Sequence, residues 1–125
     1  MNEITRMNLN SNFANDCAYS EVVVAGDWVF LNFCVGNVGQ NVEQQVHGAL
    51  DNMEARLALV GLTLENVVKV DVLMKDPWNI PAMEKVFAER FKGKYPARKT
   101  IATEFAHKGG ENGLQVQIDA IAYKG

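Results

Sequence analysis

Two helical stripes set against six strand-like runs place the tightest limit on how this chain can fold. Val42, Val46, Ala49, Leu50, Met53, Leu57 and Val60 recur at helical spacing, and Met83, Val86, Phe87 and Phe91 form a second, shorter stripe. Runs rich in β-branched and aromatic residues fall at residues 4–7, 21–25, 28–35, 67–74, 98–105 and 114–123. The predicted order is β-β-β-α-β-α-β-β, an α+β chain with one mixed sheet. Two helices can cover only one face of a sheet of about six strands.

Local signals set the breaks between these elements. Gly26-Asp27 reads as a tight hairpin turn, and Asn41 with Gln44 reads as a capping box opening the first helix, which Gly61 closes. Pro81 suits the first turn of the second helix, and Lys92-Gly93-Lys94 stops it. In the fourth strand Val68, Val70 and Val72 are expected on one face, with Lys69 and Asp71 on the other. Residues 8–20 read as a polar loop ending near Tyr19. Residues 107–113, polar and glycine-rich, read as a hairpin loop that brings the last strand back alongside the 98–105 strand.

At 125 residues the chain suits one domain, residues 1–125. A net charge of −3 without a lysine-arginine cluster argues against electrostatic capture of nucleic acid. The first residues lack the apolar run of a signal peptide and no apolar stretch is long enough to span a bilayer, so a cytoplasmic address is expected. Cys17 and Cys34 form no CxxC pair and are expected to be free thiols. The runs Val22-Val23-Val24 and Trp28-Val29-Phe30-Leu31 are apolar on both sides, so the face without helices also needs cover. Association with further copies of the chain supplies it most simply.

Several short motifs, weak singly, are specific in their order and spacing. They are Ala18-Tyr19-Ser20, Ala25-Gly26-Asp27, Glu65-Asn66-Val67-Val68-Lys69-Val70, Phe87-Ala88-Glu89-Arg90-Phe91, Pro96-Ala97-Arg98 and Ala120-Ile121-Ala122. Together they cover nearly the whole chain and resemble the RidA family, also called YjgF or endoribonuclease L-PSP. The resemblance implies a chorismate-mutase-like fold, a homotrimer packed sheet to sheet, and a ligand cleft at each subunit interface. It also implies an imine and enamine deaminase, which hydrolyses 2-aminoacrylate-type intermediates to 2-keto acids and ammonia with no metal or organic cofactor.

By the same resemblance Arg98 binds the substrate carboxylate, a task suited to a guanidinium fork. Tyr19 flanks the ligand, and Thr100, two residues beyond Arg98 on the same strand face, lines the cleft. Each has a plainer reading: Arg98 in an interstrand surface ion pair, Tyr19 packing a loop on the sheet, Thr100 as an ordinary strand residue.

The departures bear on the chemistry. Gln117 stands where deaminating members carry the glutamate that holds water; a glutamine orients water but takes no proton at neutral pH. Asp119 shares its face one repeat along, about 7 Å away, as a displaced substitute or as a partner for a neighbouring charge at the oligomer interface. Asn32-Phe33-Cys34 replaces the family's Ser-Gly-Gln, and Phe33 narrows or reshapes the cleft beside Asn32. Glu84 replaces a characteristic asparagine and is either the missing carboxylate or a solvated helix glutamate. His47, on the polar side of the first helix, and His107, in a loop, show no metal-ligand spacing.

Two other functions stay open at this point. One is a non-catalytic module that binds a 2-keto acid or related metabolite in the same cleft. The other, RNA cleavage or translation inhibition under the family's older ribonuclease label, calls for a catalytic set beside a basic groove, and neither is legible here.

Overall fold

The structure, a computed structural model, describes residues 3–9, 16–105 and 113–125. Among the described residues six strands and two long α-helices follow in the expected order: β1 (Ile4–Met7), β2 (Val22–Ala25), β3 (Trp28–Cys34), α1 (Val42–Ala58), β4 (Val67–Met74), α2 (Ile80–Phe91), β5 (Ala97–Ala102) and β6 (Val116–Tyr123). Short 3-10 turns at Leu64–Asn66 and Pro77–Asn79 lead into β4 and α2. His107 and most of the expected 107–113 loop lie outside the described residues.

The predicted turn chemistry is present. The β2–β3 hairpin closes with Ala25 opposite Trp28, and Gly26 supplies the positive φ, 60°, that the tight turn demands. Asn41 caps α1 in a reciprocal capping box with Gln44. At the other end the Leu62 N–H reaches the Leu57 carbonyl at 3.0 Å and the Gly61 N–H the Ala58 carbonyl at 3.1 Å. That bond pair, with Gly61 at φ 73°, is the glycine-closed helix end that the sequence predicts.

The sheet order is β1-β2-β3-β6-β4-β5, which corrects one sequence expectation. β5 and β6 are not hairpin neighbours. β6 lies antiparallel between β3 and β4, and β5 pairs parallel with β4 at the sheet edge. The reason is physical: α2 carries the chain back to the start of β4's direction, which makes β5 parallel to β4. β6 buries Val116, Ile118, Ala120 and Ala122 and suits a central position, whereas β5, with Arg98 and Lys99 and little burial, suits an edge.

A second correction concerns Val68. The β4–β6 register shifts between Val67 and Lys69, so Val67 enters the core and Val68 stays exposed, off the face of Val70 and Val72. Both helices lie on the face carrying Val70, Val72, Met74, Ile118 and Ala120, where Leu50, Met53, Leu57, Met83 and Phe87 complete the core. α1 reaches the loop after β3 closely: a Cβ on Gly48 would stand 2.5 Å from the Gly36 carbonyl carbon, so both positions need glycine. The other face carries Trp28, Phe30, Ile101 and Tyr123 exposed, Trp28 and Phe30 in line with a β3 run that is apolar on both sides.

Candidate functional site

Pro96 is buried where the chain turns from α2 into β5, and this sets Arg98 at the second position of the edge strand. Arg98 pairs with Val70 and Thr100 with Val72, so both side chains belong to the helix-covered face, as their spacing predicts. The guanidinium donates from Nη1 to Met83 Sδ at 3.6 Å and from Nη2 to Glu84 Oε2 at 2.8 Å. Glu84, Phe87, Tyr95, Pro96 and Arg98 line an open cavity of about 390 Å³. Glu84 is a half-exposed residue of α2 and the ion-pair partner of the cavity's arginine. Thr100 Oγ1, which does not line this cavity, is buried without a hydrogen-bond partner among the described residues.

Gln117 and Asp119 point the other way. They alternate with buried Val116, Ile118 and Ala120 on β6 and so occupy the face without helices. One chain therefore keeps Arg98 and Gln117 on opposite sides of its sheet. Asn32 and Asp119, with Ser20, Lys69 and Asp71, line a smaller depression of about 230 Å³ on the open face. Lys69 and Asp71 neutralise each other there at 2.7 Å.

Within one chain Asp119 is tied to the backbone of the neighbouring strand. Its Oδ1 accepts the backbone N–H of Phe33 at 2.9 Å. The register between β3 and β6 shifts from Leu31 to Cys34, and Phe33 in this bulge takes φ 59°, a region where glycine is at ease and phenylalanine is not. The Phe33 ring is buried and meets Tyr19 edge to face, with centroids 6.4 Å apart. Burial, with a smaller contribution from the charge of Glu21, raises the Tyr19 phenol above its ordinary pKa. The structure thus brings Tyr19 to Phe33, and Phe33 to Asp119, but none of them to Arg98 within one chain.

Sequence reasoning missed the group behind this bulge. Glu21 Oε2 pairs with Arg56 Nη2 at 3.2 Å, both side chains 4% exposed. Arg56 Nη1 also donates to the Asn32 carbonyl and, at 3.5 Å, to Cys34 Sγ. Glu21 Oε1 takes the Leu9 N–H, which ties the chain just after β1 to the same pair. The signal was available: Arg56 stands three residues after Met53 and beside Leu57, on the buried stripe of α1. Gln45, also fully buried, holds the approach to β6 through the Gly113 carbonyl and the Gln115 N–H, both at 2.8 Å.

Cys17 and Cys34 are free thiols. Cys34 is buried, and desolvation pushes its pKa up to about 12, the Arg56 guanidinium only partly offsetting it, so it is a core thiol and no nucleophile. His47 sits on the outer side of α1, where Arg90 Nη1 meets its Nδ1 at 3.0 Å and Glu89 its Nε2 at 3.4 Å. Among the described residues no group of three or more His, Cys, Asp or Glu converges as a metal site.

Comparison with known proteins gives a consistent result. The sequence model of the family described as Endoribonuclease L-PSP matches residues 10–124. A RutC family protein of Pyrococcus horikoshii is 30% identical over 113 residues, covering 85% of this chain and 86% of its own. A 2-iminobutanoate/2-iminopropanoate deaminase of Dermatophagoides farinae is 28% identical over 113 residues, 82% of this chain and 83% of that protein. Among solved structures, a Streptococcus pyogenes member of the yjgF family superposes with TM-score 0.88 at 56% identity over 98% of each chain. A Mycobacterium tuberculosis member of the YjgF/YER057c/UK114 family gives 0.85 at 27% identity, covering 97% of this chain and 99% of that one. The sheet and its two helices are the chorismate-mutase-like α+β fold of these proteins, and the chain belongs to the endoribonuclease L-PSP family, also called YjgF or RidA.

Proposed function

We propose that this protein hydrolyses small carboxylate-bearing imines and enamines, of the 2-iminopropionate and 2-aminoacrylate type, to 2-keto acids and ammonia. The observation that carries this reading is Arg98: a partly exposed guanidinium at the wall of a cavity of about 390 Å³, beside the rings of Tyr95 and Phe87. A planar fork in such a place suits a small carboxylate. The names of relatives at 26% to 28% identity, 2-iminobutanoate/2-iminopropanoate deaminase, support the same substrate class.

The working unit is a homotrimer. Its subunits pack through the open face, where Trp28, Phe30, Ile101 and Tyr123 offer apolar surface, and each cleft joins Arg98 and Thr100 of one copy to Tyr19, Asn32, Phe33 and Gln117 of the next. The opposite facing of Arg98 and Gln117 in one chain supports this division. Gln117 orients water there without accepting its proton.

The test is keto-acid release from enzymatically generated 2-iminobutyrate and 2-iminopropionate, with the wild type and Arg98→Ala at equal concentration. Acceleration that disappears in the mutant is the expected result; no acceleration over buffer by the wild type overturns the reading. Binding of a 2-keto acid without turnover is the second reading, favoured by the amide at position 117. It predicts Arg98-dependent affinity for 2-oxobutyrate and no release of product from either imine.

A further inference from the structure

Arg98 has one carboxylate against it among the described residues, and it belongs to Glu84, 2.8 Å away on α2. The other acidic candidate, Asp119, which only a neighbouring copy brings towards the same cleft, already holds the Phe33 N–H with one carboxylate oxygen. Gln117, on the same face as Asp119, has no acidic form at all. Glu84 is half exposed, so its carboxylate is free to rotate when a ligand arrives, and the cavity it lines is the one that takes the substrate carboxylate in the proposed reaction.

We infer that Glu84 is the proton acceptor of imine hydrolysis in this chain, an assignment that rests on the deaminase reading above. A substrate carboxylate competes for the guanidinium fork and displaces Glu84 from Nη2. The displaced carboxylate keeps its lone pairs at the cavity wall, while the imine carbon, bonded directly to the bound carboxylate, lies within a side chain's reach of it. An anionic acceptor beside a protonated imine also favours the charge distribution of a 2-iminium acid, with its negative and positive groups on adjacent carbons.

The water oxygen bonds to the carbon of the protonated imine, one water proton passes to Glu84, and the π electrons of C=N move to nitrogen, giving a neutral carbinolamine. Glu84 returns that proton to the nitrogen. The C–N bond breaks with its electrons on ammonia, the hydroxyl oxygen closes the C=O bond, and its proton passes through Glu84 to the departing ammonia. One imine cation and one water become one 2-keto acid and one ammonium ion, and Glu84 is restored.

The experiment measures turnover of 2-iminobutyrate and, separately, calorimetric affinity for 2-oxobutyrate in the wild type, Glu84→Gln, Glu84→Asp and Arg98→Ala. Glu84→Gln is expected to lower kcat by about 10²- to 10⁴-fold, the usual contribution of a general base. Its affinity for 2-oxobutyrate is expected to hold or tighten, because Arg98 loses an internal competitor, and Glu84→Asp is expected to recover part of the rate. Glu84→Gln turning over as fast as the wild type, or faster, overturns the assignment and makes Glu84 a mere occupant of the arginine. Loss of affinity in step with loss of rate also overturns it, as the mark of a binding role. A wild type without activity removes the deaminase reading and this inference together, whereas an active wild type with an active Glu84→Gln removes only this one. An exposed ion pair contributes little to folding, so the variants are expected to remain folded.

Discussion

The backbone N–H of Phe33 donates to Asp119 Oδ1 at 2.9 Å, across the bulge that joins β3 to β6. That bond holds a phenylalanine at φ 59°, strain of about 1–3 kcal/mol. Replacing Phe33 by glycine relieves the strain but empties the space of a buried ring, a loss of about 3–5 kcal/mol. The cavity term wins, so Phe33→Gly is expected to be less stable by about 2 kcal/mol in urea titration. Asp119→Ala, which strands the Phe33 N–H, is expected to cost about 1–3 kcal/mol, and Asp119→Asn, which keeps an acceptor oxygen, less.

The buried pair Glu21–Arg56 makes a sharper energetic case. Removing Arg56 alone leaves the Glu21 charge buried, at a cost of about 3–5 kcal/mol. Arg56→Met is therefore expected to lower the urea midpoint far more than any surface arginine replacement. Adding Glu21→Leu is expected to recover part of that loss, because the stranded charge goes with it. A double-mutant cycle measures the coupling, and strictly additive losses count against the pair.

Cys34 gives the protein an alkaline limit. Its thiol ionises at about 12 in the folded chain against 9.0 for the unperturbed group, so the folded state holds the proton more tightly. The resulting stabilisation is complete below pH 9 and is lost as pH rises towards 12. Wild-type stability is expected to fall more steeply over that range than that of Cys34→Ala. Equal slopes in the two proteins show that the thiol is not the cause. At pH 8, iodoacetamide is expected to modify exposed Cys17 and spare Cys34 in the native protein, as read by mass spectrometry.

Phe30 tests the open face. Its ring is 43% exposed in one chain, on the face opposite the helices and next to Ile121 of β6. Phe30→Glu is expected to convert a trimer into monomers in light scattering while leaving the circular dichroism of the sheet unchanged. A wild type that is already monomeric removes the proposed assembly.

The sequence by itself determined the elements and their order, because periodicity and caps are local. The stripes of α1 and α2, the Asn41–Gln44 box, the Gly61 helix end and the Gly26-Asp27 turn each depend on residues within a few positions of one another. The family motifs also placed Arg98 and Thr100 on one strand face, since a period of two survives any sheet order. The tertiary structure decided what local pattern cannot encode. It set β6 between β3 and β4, with β5 at the edge, and the register of both against β4 put Arg98 and Gln117 on opposite faces. A bulge that shifts register by one residue reversed the expected face of Val68. Glu84 meets Arg98, and Glu21 meets Arg56, only because helices pack over strands distant in sequence; a charge's partner is a fact of space, and no spacing along the chain announces it.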